Sequence, residues 1–176
     1  MINLMSTMKQ DQSYMMLNVD HDKRKQVTEE LNRENDVRSV AQVFGRFDLV
    51  LKTTAKNSEQ KYELVQRIRA IPGVTAINAP ETYEGFNTAQ TPLDSNSTAY
   101  CLLRANRPLS EVMRNLKRLP AITEAYAIGG DFEIIASLTG KTHQELSRFV
   151  ITDLEKVDGI STTETLFTFE PHVKAG

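Results

Sequence analysis

A seven-residue stretch that the chain contains twice decides the fold. It reads Phe44-Gly45-Arg46-Phe47-Asp48-Leu49-Val50 and returns 85 residues later as Gly129-Gly130-Asp131-Phe132-Glu133-Ile134-Ile135. Two further pairs of similar stretches lie 86 residues apart: residues 14–17 with 100–103, and residues 71–75 with 157–161. Three landmarks in one order and at a nearly constant offset indicate an internal duplication.

Each copy predicts the same order of elements. In the second copy, apolar and β-rich runs predict strands at 98–104, 122–128, 132–138 and 161–169, and helical spacing of apolar residues predicts helices over 109–119 and 146–157. The first copy predicts strands at about 13–19, 37–44, 47–54 and 74–83, and helices at about 22–34 and 58–70. The order β-α-β-β-α-β is the ferredoxin-like plan. We therefore predict an α+β protein of two tandem ferredoxin-like units.

The repeat also predicts the domain boundaries. The two domains span residues 13–84 and 98–171, and the polar stretch 85–97 between them is typical of a flexible linker. Because the strand at 132–138 has apolar residues on both faces, each sheet has a second apolar face that needs a partner. A tether raises the effective concentration of one unit near the other. We expect an intrachain pseudo-dimer of the dimeric α/β-barrel type.

Composition excludes several classes of function. The chain has 21 basic and 23 acidic residues, so it lacks the basic excess that non-specific nucleic-acid binding needs. Its single cysteine, Cys101, and three scattered histidines have no metal-ligand spacing, and no nucleophile–base pair is visible. No apolar run approaches the roughly 18–20 residues that cross a bilayer, and the N-terminus lacks a signal-peptide layout. We predict a soluble, cytoplasmic, non-enzymatic protein without metal, cofactor or membrane.

Several ordered stretches of the second copy resemble the effector-binding RAM module of the Lrp/AsnC family. They are Ala99-Tyr100-Cys101-Leu102-Leu103-Arg104, Glu124-Ala125-Tyr126, Gly130-Asp131-Phe132-Glu133, and Val157-Asp158-Gly159-Ile160-Ser161-Thr162-Thr163-Glu164-Thr165. The resemblance covers about residues 98–171, and the first copy resembles the same module more faintly. In the family this module follows a helix-turn-helix domain, whereas only about a dozen residues precede the first predicted strand here. We expect a stand-alone tandem module that lacks its own DNA-binding domain.

The resemblance further implies ligand binding and assembly. Modules of this family dimerise through their sheet faces, often close into rings, and bind small effectors, typically amino acids, where dimers meet. The expected partners are an amino acid or similar effector, further copies of the chain, and DNA-binding relatives with the same module. A closed ring is a common way to terminate a repeated contact.

By similarity, the effector contacts come from the hairpin turn and the last strand. These residues are Gly130, Asp131, Glu133, Ser161, Thr162, Thr163 and Thr165. An ammonium group suits Asp131 or Glu133, and a carboxylate suits hydroxyl groups and the backbone amides near Gly130. The same residues also have an ordinary interpretation, because Gly-Asp favours a two-residue hairpin turn and threonine favours strands.

The corresponding residues of the first copy form a possible degenerate site. They are Gly45, Arg46, Asp48, Thr75 and Asn78. Arg46 stands where the second copy has Asp131, and a cation there opposes an ammonium group. The first site is therefore silent or selects a more acidic ligand, unless Arg46 is an ordinary exposed turn residue.

The sequence thus favours a regulator that senses a small effector and acts through oligomeric assembly. A ligand-free interaction module that co-assembles with DNA-binding relatives is the alternative. ACT domains share the β-α-β-β-α-β plan, but they favour a glycine-rich loop after the first strand. Residues 18–21 and 105–108, which follow the two opening strands, contain no glycine.

Overall fold

The computed structural model describes residues 12–88 and 97–169, which divide into two compact units. Among these residues, unit 1 comprises 12–81 together with Phe169, and unit 2 comprises 82–88 and 97–168. Within the described ranges, none of the helices has the length and apolar character needed to span a membrane.

Unit 1 is a complete ferredoxin-like unit. Its elements are β1 (Ser13–Val19), a short 3₁₀ turn (His21–Lys23), α1 (Arg24–Asn32), β2 (Val37–Phe44), β3 (Leu49–Thr53), α2 (Ser58–Arg69) and β4 (Val74–Asn78). The strands pair antiparallel in the order β4-β1-β3-β2. Both helices cover one face of this sheet, where Leu17, Leu31 and Ile68 are fully buried. The predicted fold class is confirmed for this unit.

Unit 2 repeats the plan and adds one strand. Its elements are β5 (Thr82–Asn87), β6 (Ser97–Ala105), α3 (Leu109–Lys117), β7 (Ile122–Ile128), β8 (Ile134–Gly140), α4 (His143–Phe149), a π-helical turn (Val150–Leu154) and β9 (Ile160–Thr168). The strands pair antiparallel in the order β9-β6-β8-β7-β5. Strand β6 has Cys101 and Leu103 in the helix-side core, while Leu102 on the opposite face is also fully buried.

The predicted linker at 85–97 begins within a strand. The structure ends the fourth strand of unit 1 at Asn78 and forms β5 over residues that the sequence assigned to that strand and to the linker. Strand β5 packs against the core of unit 2 through Phe86. It also approaches the neighbouring strand closely, because Gly85 has no side chain that would collide with the Ala125 carbonyl. Residues 89–96 of the predicted linker lie outside the described residues, as do 170 and 171 of the predicted second domain.

The second helix begins in the same way in both units. The side chain of Asn57 accepts the Gln60 amide hydrogen at 2.8 Å, and Thr142 does the same for Glu145 at 3.0 Å. These side chains satisfy amide groups that the first turn of a helix leaves unpaired. The two caps lie 85 residues apart, so this end of the helix keeps the spacing of the seven-residue repeat.

The π-helical turn explains why the repeat spacing changes from 85 to 86 residues. In unit 1 the helix α2 is a regular α-helix, with the partly buried Val65 three residues before the fully buried Ile68. In unit 2 the matching Val150 and Leu154 are four residues apart, and the Glu155 amide bonds to the Val150 carbonyl at 2.9 Å. A π turn holds one residue more than an α turn. The extra residue of the second copy is therefore absorbed here, and both ends of the helix keep their packing.

Candidate functional site

Strands β7 and β8 of unit 2 are joined by five residues, 129–133, instead of the two-residue turn that the sequence suggested. The Ile128 amide bonds to the Glu133 carbonyl at 2.9 Å and closes the connection. Gly130 has φ +112°, a backbone conformation that favours glycine, and a side chain added there would meet no atom within 4 Å. Phe132 is buried beneath the connection. The tip of the hairpin therefore has open space at Gly130, while the buried Phe132 side chain anchors the connection.

Glu133 braces this hairpin against strand β6. Its Oε1 atom accepts the Ala105 amide hydrogen at 2.8 Å, and its own amide bonds to the Leu103 carbonyl at 2.9 Å. Ala105 lies where the pairing of β6 with β9 shifts register, so its amide lacks an ordinary strand partner. Oε2 of Glu133 makes no hydrogen bond to any described residue. One oxygen of this carboxylate thus has a structural role.

Asp131 forms an ion pair with Arg104, a residue that the sequence prediction did not include in the site. Arg104 Nη2 lies 3.1 Å from Asp131 Oδ2, and Arg104 Nε donates to the Asp131 carbonyl at 3.0 Å. The guanidinium carbon lies 4.5 Å from the centre of the Phe132 ring. The side chains of Asp131 and Arg104 remain 64% and 38% exposed, so solvent reaches both charges. In the sequence, Arg104 is a single arginine directly after the apolar residues 99–103, and this pattern could have indicated a role at the site.

The predicted residues of the last strand divide between the two sheet faces. Thr162 pairs with Arg104 and shares its face, and Ser161 lies at the register shift and donates to the Arg104 carbonyl at 3.2 Å. Thr163 instead donates to Glu155 Oε2 at 3.2 Å, and the Thr165 hydroxyl lies 3.3 Å from Cys101 Sγ, both on the helix side. The structure therefore groups Gly130, Asp131, Glu133, Ser161 and Thr162 at the end of β6, and places Thr163 and Thr165 elsewhere.

The hairpin of unit 1 has the same backbone geometry and different chemistry. Gly45 has φ +131°, and Asp48 Oδ2 accepts the Val19 amide hydrogen at 2.9 Å, as Glu133 does for Ala105. Asp48 Oδ1 also lies 3.4 Å from Arg24 Nη2 and 3.8 Å from His21 Nε2. Both oxygens of this carboxylate therefore have partners within the unit.

Three further residues complete the predicted degenerate site. The carbonyl of Arg46 accepts a hydrogen bond from Asn18 Nδ2 at 3.0 Å, and the Arg46 side chain is exposed. Thr75 and Asn78 lie on β4 and are both exposed. Thr75 falls where the pairing of β1 with β4 shifts register, as Ser161 does in unit 2. Unit 1 thus has the hairpin without an acidic group at its tip.

Burial raises the pKa of two titratable groups of unit 2, Cys101 and Tyr100. Burial raises the pKa of the Cys101 thiol from 9.0 to about 12, and the nearby Glu155 carboxylate adds to this effect against the hydrogen bond from Thr165. Burial, together with the Glu124 carboxylate, also raises the pKa of Tyr100. Across residues 12–88 and 97–169, no three His, Cys, Asp or Glu side chains converge in a way that could hold a metal ion.

These observations define a tandem α+β module with one acidic, solvent-facing hairpin. The sequence model described as the Lrp/AsnC ligand binding domain matches residues 12–79 and 98–176, one copy in each half. The chain therefore belongs to the Lrp/AsnC ligand-binding-domain family, as the resemblance of the second copy predicted.

The chain is similar to HTH-type transcriptional regulators of Pyrococcus species. The chain is 25% identical over 127 residues to the HTH-type transcriptional regulator FL11 of Pyrococcus furiosus, which covers 70% of this chain and 77% of the relative. It is 25% identical over 81 residues to an uncharacterized HTH-type transcriptional regulator of Pyrococcus horikoshii, covering 44% of this chain but only 54% of that relative. This second alignment therefore spans little more than half of the relative's length.

Among solved structures, the siroheme decarboxylase NirDL is similar to this chain with a TM-score of 0.69 and 15% identity. The similarity covers 94% of this chain and 72% of NirDL. At this level of identity the likeness shows that the two proteins share a fold.

Proposed function

We propose that this chain is a regulatory module that binds a small effector, most simply an amino acid, at the hairpin of unit 2. The observation that carries the proposal is the placement of Asp131, a mostly exposed carboxylate beside the open backbone of Gly130. The family to which the chain belongs is defined by a ligand-binding domain, and the relatives reported above are named as transcriptional regulators. Both facts support a sensing role.

The grouped residues offer complementary chemistry for an amino acid. The Asp131 carboxylate suits the ammonium group, and Oε2 of Glu133 supplies a second acceptor. The hydroxyl groups of Ser161 and Thr162 lie at the same end of β6 and suit polar atoms of the ligand. In this proposal Thr163 and Thr165 stabilise β9 against the helix side and do not contact the effector.

Unit 1 does not bind the same effector in this proposal. Its carboxylate, Asp48, already bonds to the Val19 amide and lies near Arg24. The residue at the tip is the cationic Arg46, which repels an ammonium group. The expected stoichiometry is therefore one effector per chain, bound by unit 2.

We propose that the bound effector acts through assembly instead of catalysis. The chain would form homo-oligomers, which include rings, and would co-assemble in the cytoplasm with DNA-binding relatives that have the same module. An effector that binds one assembly state more tightly shifts the population toward that state. The names of the relatives support this transcriptional role, and an intrachain pseudo-dimer remains the arrangement that the sequence predicts.

Calorimetric titration with each of the twenty common amino acids tests the proposal. Asp131→Asn is the matched variant, because it keeps the size of the side chain and removes its charge. We expect one amino acid to bind the wild type at one site per chain and to bind Asp131→Asn at least about tenfold more weakly. If no amino acid binds and light scattering still shows mixed assemblies with a DNA-binding relative, the ligand-free alternative is favoured.

A further inference from the structure

Arg104 of unit 2 and Asn18 of unit 1 occupy equivalent strand positions, and each side chain bonds to the hairpin of its own unit. In unit 2 its Nε donates to the Asp131 carbonyl at 3.0 Å, and in unit 1 Asn18 Nδ2 donates to the Arg46 carbonyl at the same distance. The short amide of Asn18 is thus sufficient to hold this carbonyl. A guanidinium group in unit 2 has further donors that the shared structural role does not need.

Those further donors remain available. Arg104 Nε donates to the Asp131 carbonyl and Nη2 lies 3.1 Å from Asp131 Oδ2, while Nη1 makes no hydrogen bond to any residue that the structure describes. The Phe132 ring lies against the guanidinium, 4.5 Å from its carbon atom, and is itself buried. Stacking on a fixed ring holds the guanidinium plane in one orientation. Its outer edge can therefore receive a carboxylate through two parallel hydrogen bonds.

We infer that Arg104 is the specificity-determining residue of the unit 2 hairpin, binding the α-carboxylate of an amino acid whose ammonium group faces Asp131. This inference rests on the proposed function and names the residue that selects its ligand class. The ammonium and carboxylate groups of an α-amino acid are both bonded to its α-carbon. They can lie beside the Arg104–Asp131 pair with opposite charges facing. An amine or a carboxylic acid satisfies only one of the two groups.

Unit 1 lacks both charged groups of this arrangement. Asn18 replaces the guanidinium, and Arg46 replaces the carboxylate. At the tip, Phe44 packs against Phe169 with ring centres 4.3 Å apart. In unit 2 the residue matching Phe44 is Gly129, whose backbone lies beside the exposed Tyr83 side chain. The inference therefore assigns the zwitterion site to unit 2 alone.

The decisive variant is Arg104→Asn, since it reproduces Asn18 and keeps a donor for the hairpin carbonyl. The probes are the twenty common amino acids and, for each one that binds, its decarboxylated amine. We expect Arg104→Asn to bind the amino acid about tenfold to a hundredfold more weakly than the wild type, with an unchanged melting temperature. Binding of the amine, which has no carboxylate, should not be weakened by Arg104→Asn, because the variant removes a cation beside Asp131.

Two results would overturn the inference in distinguishable ways. If the wild type and Arg104→Asn bind the amino acid within twofold of each other, Arg104 does not select the ligand, although the proposed function stands. If the wild type binds no amino acid, the proposed function fails and this inference fails with it. Should Arg104→Asn unfold, Arg104→Lys provides the second test, because it keeps the charge and loses the paired donors.

A transplant into unit 1 provides the converse test. A variant with Phe44→Gly, Asn18→Arg and Arg46→Asp rebuilds the unit 2 arrangement on a hairpin of the same backbone geometry. Calorimetry should then report two sites per chain where the wild type has one. A folded triple variant that still binds one equivalent would contradict the claim that these residues determine the site.

Discussion

Glu133 and Ala105 are joined by a hydrogen bond of 2.8 Å between a carboxylate oxygen and a backbone amide, and Asp48 and Val19 repeat the bond at 2.9 Å in unit 1. Both amides lie where a strand pairing shifts register, β6 with β9 in unit 2 and β1 with β4 in unit 1. The carboxylate that follows each hairpin tip is thus first a structural brace. In the proposed function, ligand binding by unit 2 therefore depends mainly on the neighbouring Asp131 and Arg104 side chains.

Removal of the brace should lower the stability of unit 2. Glu133→Ala leaves the Ala105 amide without its partner, which costs about 1–3 kcal/mol in the free energy of unfolding. Glu133→Gln keeps an oxygen acceptor and serves as the control, with a smaller loss. Urea denaturation measures both. Equal stability of Glu133→Ala and the wild type would show that the bond is not structural.

The π turn predicts an unusual tolerance of deletion. Removal of the exposed Ile151 should convert the turn into a regular α-helix, because it restores the three-residue spacing of Val65 and Ile68 between Val150 and Leu154. We expect a folded protein whose free energy of unfolding lies within about 1–2 kcal/mol of the wild type.

The matched control for this deletion lies in unit 1. Deletion of Gln66 from the regular helix α2 turns every later residue by about 100° and removes the fully buried Ile68 from the core. Its loss should reach about 2–5 kcal/mol, the range for removing a large core side chain. If urea denaturation shows that both deletions are equally harmful, the π turn does not contain the extra residue.

Strand β5 can be tested at Gly85. A methyl group at this position would collide with the Ala125 carbonyl and the Tyr126 side chain, so Gly85→Ala should detach the strand and lower the melting temperature by several degrees. Gly129→Ala is the control, because its added methyl group would lie 3.3 Å from the Tyr83 hydroxyl, at the end of an exposed side chain. A flexible linker at residues 85–87 would instead tolerate both substitutions.

The Cys101 thiol should make stability depend on alkaline pH. Its pKa is raised from 9.0 to about 12 in the folded protein, so the unfolded chain loses this proton first as the pH rises. The stabilising contribution is complete below about pH 9 and is lost progressively up to about pH 12. Cys101→Ala should reduce the slope of unfolding free energy against pH in this window. A thiol reagent at pH 8 should react only after denaturant is added.

Much of the fold was predictable because alternation and spacing carry it. The strands at Ser13–Val19, Val37–Phe44 and Ile122–Ile128 match their predicted bounds, since each is rich in apolar residues and is followed by a polar or turn residue. Strand β5 was missed because its polar composition is typical of a loop, and only its packing against β7 makes it a strand. The change of offset from 85 to 86 indicated one additional residue in the second copy, and the structure has a π turn between these landmarks.

The candidate site was less predictable. The prediction grouped Ser161, Thr162, Thr163 and Thr165 as one run, although alternate residues of a strand point to opposite faces. Arg104 was outside the predicted set because its relation to Asp131 depends on tertiary contact between the end of one strand and a distant hairpin. Comparison of the two units in the structure identifies it, since Asn18 and Arg104 donate to equivalent hairpin carbonyls.

The most direct test of the central claim is the stoichiometry of amino-acid binding by the wild-type chain, measured by calorimetry beside Asp131→Asn. We predict one site per chain, located in unit 2 and weakened by the loss of the Asp131 charge. Two equivalent sites per chain, or a single site that Asp131→Asn leaves unchanged, would contradict it.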